Sequence, residues 1–279
     1  MEFVRKEMVF YKNQRKIKRN KKYIMLDISI AIVTYNNENI IENTLNSLVK
    51  SLEYKLDYVI YVIDNNSTDK TLNIVKSLKG NIVIIENKRN VGFGTGHNKV
   101  IEIIQSRYHI VVNPDITIVN DCIIDMFSYM EENPAIGLLT PLIKYPDGNI
   151  QYLCKRNPTV ADLVIRLLLK DHFKNRQNYY VRMETGYNRP FTVDYSSGCF
   201  MFFRTEIFKG IGGFDENFFM YLEDADITRR VNEVSKTVFY PYNFVVHEWQ
   251  RGSHKNFKLM WINIKSAFYY FKKWGLKLY

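Results

Sequence analysis

The chain has 279 residues, 46% of them apolar, 24% charged and 15% aromatic, and a formal net charge of +10. This length accommodates a sizeable core without a disulfide or zinc staple. The apolar and charged fractions are ordinary for a globular protein and exclude wholesale disorder and collagen-like repeats.

The first segment, 1–26, reads as a basic arm: residues 1–22 carry nine Lys or Arg against Glu2 and Glu7. It lacks the apolar run of a signal peptide. From Asp27 the pattern becomes regular. Ile28–Val33 reads as a buried strand and Asn37–Lys50 as an amphipathic helix. Tyr58–Ile63 is a second strand with a helix at 69–78; Asn81–Ile85 is a third, with a helix at 95–105. His109–Val112 is a fourth, followed by a helix at 121–131. Short apolar strands alternating with helices predict an α/β fold, a single, mostly parallel Rossmann-like sheet flanked by helices. The second half is less regular. Tyr145–Asn149 is a turn, 161–170 a helix, Phe191–Tyr195 and Cys199–Phe203 strands, and a helix starts at Asp224 before a strand at 237–240. At the end, Phe257, Trp261, Ile264, Phe268 and Phe271 recur on one helical face beside Lys258, Lys265 and Lys272. Such a helix, 256–279, suits a membrane interface, packing on the body, or a homodimer contact.

Charge and cysteine placement narrow the class. Residues 251–279 carry seven Lys or Arg and no acid, so each end is +7 and the span 23–250 is left at −4 of the total +10. A nucleic-acid reader carries its basic residues across a folded face, so none is expected as partner. Basic ends suit the anionic inner face of a membrane. Cys122, Cys154 and Cys199 show no metal-ligand spacing and read as buried thiols of a reducing compartment. No run of 18 apolar residues predicts a transmembrane helix. These points favour the cytoplasm.

In parallel sheets ligands bind beyond the carboxyl ends of the strands, and all four ends are polar. They carry Thr34-Tyr35-Asn36-Asn37, Asp64-Asn65-Asn66-Ser67-Thr68-Asp69, Asn87 to Asn98, and Asn113-Pro114-Asp115. Asp64 can accept bonds from a base or ribose, or merely open a capped turn. Tyr35 can stack on a base. Gly92, Gly94 and Gly96 let backbone come close to a ligand, but lack the spacing and position of a dinucleotide loop. Asp115 offers hard oxygen to Mg²⁺ or Mn²⁺; Asn-Pro-Asp is also a common turn. In Glu223-Asp224-Ala225-Asp226 a carboxylate at a helix start can serve as general base or as a plain acidic cap. His247 can ligate a metal, and Arg251 or Lys255 can meet phosphate.

Taken in order, these pieces resemble the family 2 glycosyltransferases of GT-A fold, in the rhamnosyltransferase-like branch of bacterial O-antigen and polysaccharide synthesis. The matching residues are Val33–Asn36, Val62–Asp69, Asn90–Gly94, Asn113–Asp115, Ser197–Cys199, Gly212–Glu216 and Phe219–Asp226. The resemblance spans about 27–255, the expected catalytic domain. It implies inverting transfer of a sugar, with L-rhamnose from dTDP-rhamnose as first choice, from a nucleotide-diphosphate donor to a glycan or lipid-linked acceptor. It places Thr34, Tyr35, Asn36, Asp64, Asn65, Asn90, Gly92, Phe93, Gly94, Asn98, Asn113 and Asp115 at the donor. Asp115 and His247 would hold Mg²⁺ or Mn²⁺, with Asn113 at the first position of the usual DXD motif. Asp224 matches the base, and Glu223, Asp226 and Trp249 the acceptor side. Alternatives are transfer from UDP-galactose, UDP-galactofuranose or another UDP sugar, a nucleotidyltransferase, and a non-catalytic membrane or nucleic-acid binder.

Overall fold

The computed structural model describes residues 25–169, 172–248 and 257–279. The basic arm before them and Trp249 lie outside the described residues. Strand β1 (Leu26–Thr34) is built from alternating Ile28, Ile30 and Ile32, all fully buried. It pairs in parallel with β2 (Tyr58–Asp64) on one side and β4 (Ser106–Val112) on the other. Strand β3 (Ile82–Glu86) extends β2 outward. Because the strand order is β3-β2-β1-β4, the chain switches direction between β1 and β4. Such a switch opens a crevice at the carboxyl ends.

The rest of the sheet departs from the expected parallel pattern. Strand β6 (Ile136–Lys144) and β8 (Phe200–Arg204) continue past β4, and β8 runs antiparallel to both neighbours. The long β9 (Lys236–His247) runs parallel to β6 and antiparallel to β5 (Ile116–Ile118) and β7 (Phe191–Thr192). The sheet is therefore mixed, with parallel pairing concentrated in its first half. Strand β6 has no alternation to betray it, since eight of its nine residues are buried and Pro141 interrupts it. A register shift at Pro141–Leu142 accommodates the missing N–H. Likewise the Tyr145–Asn149 turn closes on itself, Tyr145 N–H donating to Asn149 O at 2.8 Å.

Helices cover both faces. On one, α1 (Ile41–Leu52) buries Ile41, Leu45, Leu48 and Leu52, and α4 (Cys122–Glu132) buries Cys122, Ile123, Met126 and Met130 against Ile28, Ile30, Val62 and Val112. The short α2 (Thr71–Ser77) adds Val75. On the other face Ala31, Tyr61, Val111 and Met201 meet Phe208 of α7 (Thr205–Gly210) and Ile227 and Val231 of α8 (Glu223–Val234). The helix expected at 95–105 is shorter, α3 (Phe93–Asn98). An excursion between β6 and β8 carries α5 (Val160–Leu168) and α6 (Lys174–Tyr180). The three thiols are buried, and burial pushes the Cys154 and Cys199 thiols up to about 12, which leaves them inert.

The terminal helix α9 (Phe257–Trp274) packs on the body mainly by a face other than its aromatic stripe, of which Phe271 joins the packing. Ser266 and Tyr270 are buried, and Tyr270 joins Tyr180, Tyr195, Phe218, Leu222 and Ala225 in one cluster. Asp226, fully buried, fastens the helix: it accepts from Trp274 Nε1 at 2.9 Å and from Arg230 Nε at 2.8 Å, and pairs with Lys273 Nζ at 2.7 Å. Phe257, Trp261 and Phe268, with Lys258, Lys265 and Lys272, remain exposed. Among the described residues no helix is long and apolar enough to cross a membrane.

Two predictions follow from this packing. Asp226→Ala takes the one carboxylate from Arg230 and one of two from Lys273, so chemical denaturation should show a loss of about 3 kcal/mol. His109 is buried, its Nδ1 2.8 Å from Ser29 Oγ and its Nε2 without a partner. Burial, with Lys209 nearby, pulls its imidazole down to about 3. Below the unfolded value of about 6.5 the unfolded chain takes up a proton that the folded chain refuses, so stability falls as pH drops through that window. The slope is at most about 1.4 kcal/mol per pH unit for this group. Urea midpoints measured from pH 7 to pH 5 should fall, and His109→Gln should flatten the fall.

Candidate functional site

The parallel register brings Thr34 opposite Asp64 at the crevice. Thr34 Oγ1 donates to Asp64 Oδ1 at 3.1 Å, and Ser67 N–H donates to Asp64 Oδ2 at 3.0 Å. Asp64 is buried by these bonds, which stitch the β2 turn to β1. Asn36 completes the stitch from a left-handed backbone, donating N–H to Ser67 Oγ at 2.9 Å and accepting Thr68 N–H at 2.8 Å. Tyr35 stands beside it with 49% of its surface exposed, open to stack on a base. Asn65 bridges to the next loop, donating to Asn90 Oδ1 at 3.2 Å and Gly92 O at 3.1 Å.

The glycine loop serves the protein more than a ligand. Gly92 has φ +91°, and a Cβ there would lie 2.3 Å from the carbonyl oxygen of Phe219. Phe93 N–H donates to that same carbonyl at 2.9 Å. A Cβ on Gly94 would meet Phe214 Cβ at 2.8 Å. These glycines let the 212–222 segment come down on the loop at 90–98. Asn98, expected at the donor, clips the two segments together. Its amide donates to Phe214 O at 2.8 Å and Glu216 Oε1 at 3.1 Å, and its oxygen accepts Phe214 N–H at 2.9 Å. Phe93 packs edge-on against His97 and Phe214.

Across the switch point, Asn113 N–H donates to Cys199 O at 2.9 Å, and β5 to β9 pairing carries Asp115 to His247. Asp115 Oδ1 is buried, without a hydrogen-bond partner, 3.4 Å from His247 Nε2. The tautomer follows from Gln151, a residue the sequence reading missed. Its amide nitrogen donates to His247 O at 2.7 Å, which leaves Gln151 Oε1 facing His247 Nδ1 at 2.9 Å. Nδ1 must carry a proton, so in the neutral ring Nε2 is the nitrogen that offers a lone pair toward Asp115. A hard carboxylate oxygen and an imidazole nitrogen, both turned inward, fit a divalent cation. No group of three His, Cys, Asp or Glu converges there among the described residues. A cation held so would complete its shell with substrate phosphates and water, the common arrangement for Mg²⁺.

The third edge is the start of α8. Tyr221 and Leu222 both adopt left-handed backbone, at φ 73° and 65°, a strained approach of the kind that clusters at functional sites. Asp224 Oδ2 accepts Gly198 N–H at 3.1 Å and Oδ1 accepts Ala225 N–H at 3.0 Å. Beside it Glu223 is buried with Oε2 unpartnered. Burial, then the charges of Asp224 and Asp226, pushes the Glu223 carboxyl well above the usual range. Glu223 and Asp224 thus sit in unlike environments, the one buried with its carboxyl pushed up, the other held by two N–H groups, a division of roles found in acid–base sites. Asp226, expected at the acceptor, is turned away and spent on Arg230, Lys273 and Trp274. Lys155 and Arg166, which nothing in their local sequence marks, lie over Tyr195 and Tyr180 of the cluster that also holds Leu222 and Ala225.

A family model described as glycosyl transferase family 2 matches residues 29–212. The chain belongs to that family. It is a glycosyltransferase, and the family match ends before the Glu223–Asp226 segment. Among curated relatives, the chain is 27% identical to an N-acetylglucosaminyl-diphospho-decaprenol L-rhamnosyltransferase of Mycobacterium tuberculosis (strain CDC 1551 / Oshkosh), over 79% of this chain and 75% of the relative. It is 24% identical to rhamnosyltransferase WbbL of Escherichia coli (strain K12), over 87% of this chain and 92% of the relative. Among solved structures, S. aureus TarS 1–349 in complex with UDP-GlcNAc aligns with TM-score 0.60 at 20% identity, covering 86% of this chain and 66% of that one. The Pyrobaculum calidifontis mannosyltransferase PcManGT, solved with GDP-Man and Mn²⁺, aligns with TM-score 0.57 at 14% identity, over 88% and 66%. The chain thus spans just under two thirds of these longer structures. They establish the GT-A fold.

Replacing Gln151 with Leu frees the His247 ring to adopt either tautomer. Mn²⁺ affinity in the presence of a nucleoside diphosphate, read by calorimetry, should fall about 10- to 100-fold.

Proposed function

We propose that the chain transfers a sugar with inversion from a nucleotide-diphosphate donor to a hydroxyl of a phosphate-bearing glycan or lipid-linked acceptor. The observation that carries this is the pairing of an Asp224 carboxylate held by two N–H groups with a buried Glu223 at the start of one helix, on the same edge of the sheet as Asp115 and His247. Asp224 takes the proton from the acceptor hydroxyl. That oxygen bonds to the anomeric carbon while the glycosyl–phosphate bond breaks, and the nucleoside diphosphate leaves with the electron pair. Asp64 and Tyr35 receive the nucleoside. A divalent cation, Mg²⁺ or Mn²⁺, bound at Asp115 and His247, would neutralise charge on the leaving diphosphate. Glu223 donates a hydrogen bond that orients the acceptor.

Rhamnose is the first candidate sugar, since two relatives are named rhamnosyltransferases. UDP-galactose and UDP-galactofuranose stand behind it. A phosphate-bearing acceptor is supported by the diphospho-decaprenol in one relative's name and the poly(ribitol-phosphate) in another's.

Asp224→Asn should lower transfer from a nucleotide sugar by at least about 10²-fold, and near-normal turnover would remove Asp224 as the base. Glu223→Gln preserves a neutral donor and should stay within about tenfold of the parent rate in the same assay.

The exposed aromatic and lysine face of α9 supports reversible contact with an anionic membrane surface. In flotation with phosphatidylglycerol vesicles the protein should rise with the lipid at low salt, and Trp261→Glu with Phe268→Glu should leave it in the pellet fraction. If the same face joins two copies, light scattering will instead report a dimer that the double substitution splits.

A further inference from the structure

Lys155 and Arg166 reach one aromatic cluster, beneath the turn that presents Asp224, from two separate segments. Lys155 is fixed by backbone pairing, its N–H donating to Tyr195 O at 2.8 Å and its O accepting Tyr195 N–H at 3.0 Å. It is only 6% exposed, and its ammonium lies 4.2 Å from the centroid of the Tyr195 ring. Arg166 comes from α5, whose start is held by a capping box of Thr159 and Asp162. Its guanidinium carbon is 5.5 Å from the centroid of Tyr180. Tyr180 and Tyr195 are buried in one cluster with Leu222 and Ala225, under the turn that presents Asp224.

The charges at this place do not balance. Among the described residues neither cation has a carboxylate within salt-bridge distance. Burial pulls the Lys155 ammonium down to about 8, with Arg166 acting in the same direction and Asp224, Cys199 and Cys154 opposing it. Burial and the Asp224 charge push the Glu223 carboxyl well above its usual range, which disfavours a compensating charge there. Two like charges at least partly removed from water are costly unless a counter-charge joins them. Asp224 supplies one negative charge against two positive ones. Lys as a point charge and Arg as a planar fork are together a common pair for recognising a phosphoryl group.

We infer that Lys155 and Arg166 form an oxyanion subsite beside Asp224 that binds a phosphoryl group of a substrate. The inference deepens the proposed function and rests on its reading of Asp224 as the place where acceptor and donor meet. Two sources can supply that chemistry. One is the phosphate that links an acceptor to its lipid or polymer. The other is the donor diphosphate, because Asn113 N–H donates to Cys199 O while the adjacent Gly198 N–H donates to Asp224, which brings the Asn113–Asp115 segment and Asp224 to one edge.

The test is by binding, so it does not depend on turnover or on the donor sugar. Inorganic pyrophosphate is titrated calorimetrically into the full chain in metal-free buffer, and UDP in a separate arm with Mg²⁺. Lys155→Met and Arg166→Gln should each weaken pyrophosphate by at least about tenfold, while Lys155→Arg stays within about threefold. Arg166 is half-buried and on a different element from Lys155, so the two variants guard against a folding defect in either. Asp224→Asn removes the competing negative charge and should tighten pyrophosphate even though transfer is lost. That separates failure of the subsite from failure of the base. Weakened pyrophosphate with unchanged UDP assigns the subsite to the acceptor phosphate; equal weakening of both assigns it to the donor. Raising pH through 8 should weaken pyrophosphate more in the parent than in Lys155→Arg, as Lys155 loses its proton among Arg166, Asp224, Cys154, Cys199 and Tyr195. Variants with parent-like melting that leave both pyrophosphate and UDP affinity unchanged overturn the inference.

Discussion

The site depends on one register. In the parallel ladder Thr34 faces Asp64, and Ile32 faces both Val62 and Val112. All the strand ends of the first half therefore stop at one edge, with the reversal of strand order between β1 and β4. A slip of one residue would send Thr34 and Asp64 to opposite faces and break the bond that ties the β2 turn to β1. The register is held by fully buried Ile, Val and Ala side chains on both faces, so the core and the crevice share one cause. Both faces exclude water, so the sheet has no solvent face on which a slip would be tolerated.

The second half supplies the chemistry by crossing the sheet in the opposite direction. Strand β8 returns antiparallel to β4, so the Gly198–Cys199 approach arrives at the same edge that β4 leaves. A Cβ on Gly198 would lie 3.3 Å from both Asp224 Cβ and the Phe93 ring, a tight approach. At this close range its N–H donates to the Asp224 carboxylate. Three carboxyl groups within four residues then meet three fates. Glu223 is buried without a charge partner, and its carboxyl is pushed well above the usual range. Asp224 is held by two N–H groups at the lip of the crevice. Asp226 points to the other side of the helix and is saturated by cationic and indole donors.

The terminal helix illustrates the difference between a stripe and a contact. Its aromatic residues recur at helical spacing, and that spacing does form a helix. The face that packs, however, is the polar-aromatic one of Ser266, Tyr269, Tyr270, Lys273 and Trp274. Lys273 and Tyr269 also hold Asp215, whose carboxyl sits at about 2 because these hydrogen bonds outweigh its burial. The body prefers hydrogen-bonded aromatics to bare ones because its docking surface is already lined by Asp215 and Asp226. The bare aromatics and their lysines are left to face outward.

By itself the sequence determined the alternating elements of the first half, since period-2 and period-3.6 apolar patterns are local properties of a chain. It also determined the polar strand ends, because a parallel sheet leaves only those positions free of packing. The family pattern in the same residues pointed to the right class of enzyme. It did not reveal β6, whose nearly continuous burial erases alternation, nor the antiparallel partners that make the sheet mixed. It could not distinguish Glu223, Asp224 and Asp226, since their direction depends on a left-handed turn and on a helix some 30 to 50 residues away. Nor could it find Gln151, Lys155 or Arg166, which carry no local signature and acquire meaning only from neighbours distant in sequence. The tertiary structure decided these because burial, tautomer and unbalanced charge are properties of a neighbourhood, and folding assembles that neighbourhood from segments that never adjoin along the chain.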